Sequence, residues 1–332
     1  MQISPFNPLT TLEKIFFVSP ANVNQAVIDK AAKEKLIASF CAEIDAAMLR
    51  FKWKERSCSS FPWKADLKTK EGRPLIYAVF GTGTNTTLVL GGVHPDEITP
   101  VPMGFRVVDY LRSHPEAYAG DTQIIVAPLV NPDGFMRDTP TRTNSNGVDL
   151  NRNFFTMDWY GKALNLWENR RKKIASHFPG YFPNSEVETL FQIELVDHYK
   201  PDKILSIHAP LGFLDYDGPG DGLPVTNSPT QKRAKQLVKA ISERSKNYKV
   251  VDYNFYPGSL GNFAGNERHI PTVTLELETT NPGMVDTYWD QFLPGILQSI
   301  QYPFKPEPET DGTMSDNASP FSTKYNLPEK TI

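Results

Sequence analysis

Two histidines and a glutamate stand where an α/β protein usually presents its chemistry. His94-Pro95-Asp96-Glu97 follows an apolar run ending at Leu90 and the step Gly91-Gly92-Val93. It therefore lies at the C-terminal end of an expected strand, where open α/β sheets place ligands. A histidine and a glutamate three residues apart on a turn can meet one cation, although an ordinary solvated turn would look the same. Ser206-Ile207-His208-Ala209 puts another histidine at the end of a second apolar strand. A lone histidine there is commonly just a packed residue. If two strand ends lie side by side, however, His94, Glu97 and His208 complete a set of two imidazoles and one carboxylate. Three protein ligands leave the fourth position of a zinc ion open, which is the catalytic arrangement rather than the structural one. His114 at a helix end, His177 in a loop and His198 near the end of a polar-faced helix fit such a set less well.

Two further segments bear on that hypothesis. Asn146-Gly147-Val148-Asp149-Leu150-Asn151-Arg152-Asn153-Phe154 is rich in turn-forming asparagine, with Arg142 shortly before it. Its guanidinium and amide groups suit a carboxylate, because arginine's planar fork pairs with two oxygens at once. The bland alternative is turn chemistry with surface charge. Asp149 is placed to accept the spare ring N–H of a ligand histidine and so fix its tautomer. In Thr272-Val273-Thr274-Leu275-Glu276-Leu277-Glu278 the alternation sets Glu276 and Glu278 on the face opposite the leucines. Glu278 reads as solvated. Glu276 has a role if zinc is present: hydrolysis needs a base that takes a proton from water and hands it to the leaving amine.

These residues need a scaffold, and the chain of 332 residues supplies one. Strand signals at 75–80, 86–90, 122–129, 203–207, near Val250 and at 272–277 alternate with helical ones through Val101–Leu111 spacing, 229–246 and 284–300. Ser185-Glu186-Val187-Glu188 has the pattern of a capping box opening another helix. The expected class is α/β, a mixed central sheet flanked by helices on both faces. Ahead of it, apolar residues from Val23 through Val27, Phe40, Cys41 and Ile44 to Phe51 recur at helical spacing, with Ser19-Pro20 as the helix start. Residues 1–60 are thus expected to form a helical extension, 61–303 the catalytic unit and 304–332 a flexible Pro-, Glu- and Ser-rich tail. The 39% hydrophobic residues can fill a core, and a net charge of −3 argues against a nucleic-acid binder. No run is long enough to span a membrane, and no secretory signal is visible, so a cytoplasmic location is expected. Cys41 and Cys58 are the only cysteines. They are too few for a disulfide scaffold, and Cys41, on the apolar stripe, reads as packing.

Taken in order, the His-x-x-Glu turn, Asn131-Pro132-Asp133-Gly134, the Gly-Val-Asp-Leu-Asn-Arg-Asn-Phe loop, Ser-Ile-His and Thr-Leu-Glu-Leu resemble the zinc carboxypeptidase family over about residues 75–304. The resemblance implies one zinc ion held by His94, Glu97 and His208, with Asp149 supporting His94 and Glu276 as general base. It implies that Asn151 and Arg152 hold the substrate's terminal carboxylate while Arg142 polarises the scissile carbonyl. The loop from Arg142, the Asn184–Thr189 stretch and Tyr256-Pro257-Gly258-Ser259-Leu260-Gly261 look like those of bacterial murein tripeptide amidases. That likeness implies hydrolysis of the bond between γ-D-glutamate and meso-diaminopimelate in murein peptides, in cell-wall recycling. Tyr256 then stands near the position of the family's mobile active-site tyrosine. Asp96 replaces the arginine that digestive carboxypeptidases carry before the ligand glutamate. The sequence leaves two rivals: an N-acyl amino acid deacylase of the succinylglutamate desuccinylase type, and a binding module that keeps the carboxylate pocket without catalysis. The oligomeric state is not readable from the sequence.

Overall fold

The computed structural model describes residues 27–29, 32–53, 58–220 and 228–303. Their centre is a seven-stranded mixed sheet: β1 (Ala78–Gly81), β2 (Asn85–Leu90), β3 (Thr122–Ala127), β4 (Lys203–His208), β5 (Phe213–Tyr216), β6 (Val250–Val251) and β7 (Thr272–Glu276), in the order β1-β3-β2-β4-β7-β5-β6. The middle strands β3, β2, β4 and β7 are parallel, while β1 pairs antiparallel with β3, and β5 antiparallel with β7 but parallel with β6. Parallel strands bury both faces and need near-continuous apolar or uncharged runs. β2 and β4 are accordingly buried at every position. Because β2, β4 and β7 are neighbours running the same way, their C-terminal ends open on one edge of the sheet.

The main helices are α1 (Lys33–Arg50), α2 (Pro100–Ser113), α3 (Val187–Tyr199), α4 (Pro229–Arg244) and α5 (Val285–Gln301). One apolar core joins α1, α2, α4 and α5 to the sheet face carrying Val89, Leu205, Val273 and Leu275. A second core joins α3 and the loops around Phe154 and Phe263 to the opposite face, carrying Leu88, Leu90, Ile125 and Ile204. The side chains of Ser206 and His208 alternate with Leu205 and Ile207, so they fall on the second face. That is the face on which the long loops collect.

Several expectations change. The N-terminal helix begins at Lys33, and Val27 makes a bridge with Leu67 instead of joining the helical stripe. Val23, the Ser19-Pro20 start and the 304–332 tail lie outside the described residues. Phe40, Cys41, Ile44 and Met48 of α1 are buried in the sheet's own core. Cys41 is buried as expected, but it is also joined to Cys58, closing a separation of 17 residues. β5 gave no strand signal in the sequence and inserts between β7 and β6. The capping box at Ser185 does not form. Glu188 instead accepts from Asn144 at 3.0 Å, and the Glu186 N–H is held by Asn153 at 3.2 Å. α3 is buried along most of its length rather than polar-faced.

Candidate active site

The sequence turns sharply after β2. Gly92 takes φ +58, and a Cβ there would come 2.7 Å from Leu129 Cδ1, so glycine is required by conformation and space together. This turn delivers His94 and Glu97 over the sheet edge, and the Glu97 N–H closes it on the His94 carbonyl at 3.0 Å. His208 is the last residue of β4, next in register to Glu276, the last residue of β7. Three adjacent parallel strands thus bring together four side chains that are up to 182 residues apart (276 − 94).

The donor atoms of His94, Glu97 and His208 all lie within 4.8 Å of one another. His94 Nδ1 faces Glu97 Oε1 at 3.0 Å and His208 Nδ1 faces Glu97 Oε2 at 2.9 Å. The far nitrogen of His94, Nε2, meets Asp149 Oδ1 at 2.9 Å. Asp149 is fully buried. Such a carboxylate accepts a hydrogen bond from the Nε2–H and leaves Nδ1 as a lone-pair donor toward the centre, as a cation ligand requires. Two neutral nitrogens and one carboxylate oxygen around a common point fit zinc by number and by chemistry.

Arg142 clamps the site from outside. Its Nε donates to Asp149 Oδ2 and its Nη1 to Glu97 Oε1, each at 2.9 Å. Nη2 keeps no protein partner among the described residues. Although burial works the other way, the Arg142 guanidinium and the His94 ring hold the Asp149 carboxyl well below the usual range. Glu276 is different. Burial pushes its carboxyl up to about 7 against the pull of His208, and the nearby Glu97 adds to the rise. A carboxyl poised there can both take and return a proton near neutral pH. Its Oε2 accepts from the Leu211 N–H at 3.4 Å.

Asn151 and Arg152 lie on the loop capped by Asp149, whose Oδ1 accepts from the Asn151 N–H at 3.0 Å. Asn151 Oδ1 accepts from the Leu260 N–H at 2.7 Å, which ties this loop to the Tyr256–Gly261 turn. Arg152 stacks its guanidinium over the Tyr256 ring at 4.3 Å. Among the described residues no carboxylate comes within ion-pair distance of it. Burial, together with the Arg142 and Arg171 charges, lowers the Arg152 pKa against the attraction of Asp149. An anion beside it would relieve that crowding of cations. Arg171 was invisible in the sequence because it stands in a charged stretch, Asn169-Arg170-Arg171-Lys172, that reads as solvent-facing. It donates to the Tyr256 hydroxyl at 3.0 Å and so fixes the ring under Arg152.

Comparison with known proteins places this geometry. Residues 63–302 match the family model described as zinc carboxypeptidase. Murein peptide amidase A of Vibrio campbellii is 30% identical over 238 residues, covering 70% of this chain and 85% of the relative. Among solved structures, murein-tripeptide amidase from Escherichia coli O157 shares the fold at a TM-score of 0.51 and 22% identity, over 72% of this chain and 93% of that one. Bovine thrombin-activatable fibrinolysis inhibitor does so at 0.59 and 15% identity, over 80% and 95%. The chain belongs to the zinc carboxypeptidase family and is a zinc-dependent metallocarboxypeptidase.

Proposed function

We propose that this zinc carboxypeptidase releases a C-terminal diaminopimelate from a γ-D-glutamyl murein peptide, with His94, Glu97 and His208 as its metal ligands. The observation that carries the reading is Arg152: a guanidinium stacked on Tyr256, near enough to the His94-bound Asp149 to lower its carboxyl, with no carboxylate at ion-pair distance among the described residues. A free terminal carboxylate supplies the missing partner, and bidentate pairing to Arg152 with support from Asn151 would orient the last amide bond. When bound, zinc supplies a Lewis acid for the scissile carbonyl and a more acidic water.

The chain's own groups do the rest. Glu276 takes the proton from the attacking water and later delivers it to the leaving amine. Arg142 directs Nη2 at the oxygen on which negative charge develops, a type of contact worth roughly 10²–10³ in rate. Asp149 keeps the His94 tautomer and the Arg142 fork in place at the same time. The murein preference draws support from the relatives, which are named for murein peptides. None of the helices described is long and apolar enough to cross a membrane. The cytoplasmic location expected from the sequence suits recycling of such peptides. The Cys41–Cys58 disulfide weighs toward an oxidising compartment instead, because cytosolic thiols are kept reduced.

The test is incubation with murein tri-, tetra- and pentapeptides and with an N-succinyl amino acid, followed by mass analysis of the products. Release of diaminopimelate from the tripeptide, blocked by a chelator and restored by zinc, is expected. Release of succinate alone would replace this reading with the deacylase.

A further inference from the structure

Glu194 is a buried acid that the hydrolytic chemistry does not use. It lies in the last two turns of α3 and is 6% exposed. Its Oε1 has no hydrogen-bond partner among the described residues. The charges that act on it, those of Asp66 and Asp197, are both negative, and burial with their help pushes its carboxyl up to about 8. An acid in that state costs stability unless a positive group meets it.

There is room for one. Glu194 lines a cavity of about 100 Å³ between α3 and the stretch 64–77 that leads into β1. A single water needs roughly 10–15 Å³ of such space. Three aromatic rings wall the cavity. Tyr77 stands at the centre, with the Tyr199 ring edge-on at 6.1 Å and the Phe191 ring tilted at 6.1 Å. Leu67 adds apolar surface, and Asp66 contributes a second acid. Asp66 is already satisfied: its Oδ1 accepts from Lys33 Nζ at 2.7 Å and its Oδ2 from the Tyr77 hydroxyl at 3.2 Å. Glu194 is thus the acid of this cavity whose charge has no counterpart. Its open oxygen calls for an N–H donor with positive charge, and the ring faces attract the same charge. The apolar walls suit a carbon stem and not a hydrated inorganic ion.

None of the candidate active-site residues lines this cavity. Tyr77 leads into β1, the outermost strand, and β3 and β2 separate that strand from β4, which ends in His208. Three strand spacings, roughly 14 Å of sheet, therefore lie between β1 and β4.

We propose that this cavity is a second binding site, taking a primary ammonium on a short alkyl stem, with Glu194 as counter-ion and Tyr77, Tyr199 and Phe191 as walls. It shares no residue with the proposed carboxypeptidase chemistry, so the two stand or fall separately.

Calorimetry on the zinc-loaded full chain with n-butylammonium chloride, and with n-butanol as the neutral counterpart, tests it. The wild type should bind the ammonium ion at least about tenfold more tightly than the alcohol, because the alcohol leaves the buried charge unmatched. Glu194→Gln should abolish that preference. Butylammonium should also raise the Tm of the wild type and leave that of the variant unchanged. Tyr199→Leu keeps the acid and removes one ring, so it should weaken ammonium binding by about three- to fivefold. Equal binding of ammonium and alcohol by the wild type overturns the proposal and leaves water as the occupant. Ammonium binding that Glu194→Gln does not alter overturns it as well, by placing the ion elsewhere on the protein. Should Glu194→Gln fail to fold, Tyr199→Leu decides, an unchanged affinity there refuting the site.

Discussion

Glu97 and Asp149 on the catalytic edge and Glu188 and Glu194 on α3 are all buried carboxylates, with exposures of 7%, 0%, 2% and 6%. Their surroundings give them opposite chemistry. On the catalytic edge Arg142 bridges Glu97 and Asp149, His94 faces the same Glu97 Oε1, and His208 faces Glu97 Oε2. Those acids are held ionised. On α3 no cation compensates burial, and both carboxyls rise to about 8. Glu188 keeps Asn144 as donor, while Glu194 Oε1 has no partner among the described residues. The difference lies not in depth but in the cation: a buried carboxylate can serve a metal only where its charge is maintained.

The comparison can be broken at its strongest point by removing the base while leaving the ligands. Glu276→Gln should cut kcat by about 10³–10⁴ while zinc stays bound stoichiometrically. Unchanged turnover in the zinc-loaded variant would take proton transfer away from Glu276. Next comes the cation. Arg142→Met should lower kcat by roughly 10²–10³. With Glu97 and Asp149 left uncompensated, it should also weaken zinc binding by about 10–100-fold. Zinc titrations of wild type and variant read the second effect, and identical affinities would show that Arg142 serves the substrate only. Replacing Arg152 by leucine should act chiefly on KM, and peptides whose terminal carboxyl is amidated should show no further loss. A kcat effect with no change in KM would argue against the anchor.

The smallest effect sharpens the other half of the comparison. Glu194 has a folded-state value of about 8 against an ordinary 4.5. Its contribution to stability is therefore whole below pH 4.5 and is lost as pH rises through about 8. Glu194→Gln removes that loss. The stability gain over wild type should grow across this window to a few kcal/mol and then level. Thermal unfolding at pH 4, 6 and 9 measures it. A gain independent of pH would mean that Glu194 is already ionised in the folded protein.

Much of the site was legible because its chemistry sits at strand ends. His94, Glu97, His208 and Glu276 each follow or close an apolar run, and parallel order alone makes those ends converge. Asp149, Asn151 and Arg152 were visible as an unusually polar loop. Other features left no such signal. β5 is four residues with buried Asp215 among them, and a charged residue in a short run obscures a strand whose one face is a polar floor. Asp215 comes beside Thr274 only through that strand's insertion next to β7. Ser185 and Glu188 spell a capping box, yet a tertiary partner, Asn144, takes the Glu188 carboxylate away from the helix end. Cys41 fell on an apolar stripe, and helical spacing cannot distinguish a packed thiol from one joined to a cysteine 17 residues on.

Zinc-edge X-ray absorption on the purified, metal-loaded protein tests the central claim most directly. The expected result is one zinc per chain with two imidazole nitrogens and one carboxylate oxygen near about 2 Å, one imidazole being lost in His208→Ala. Zinc with a coordination shell that His94, Glu97 and His208 substitutions leave untouched would contradict it.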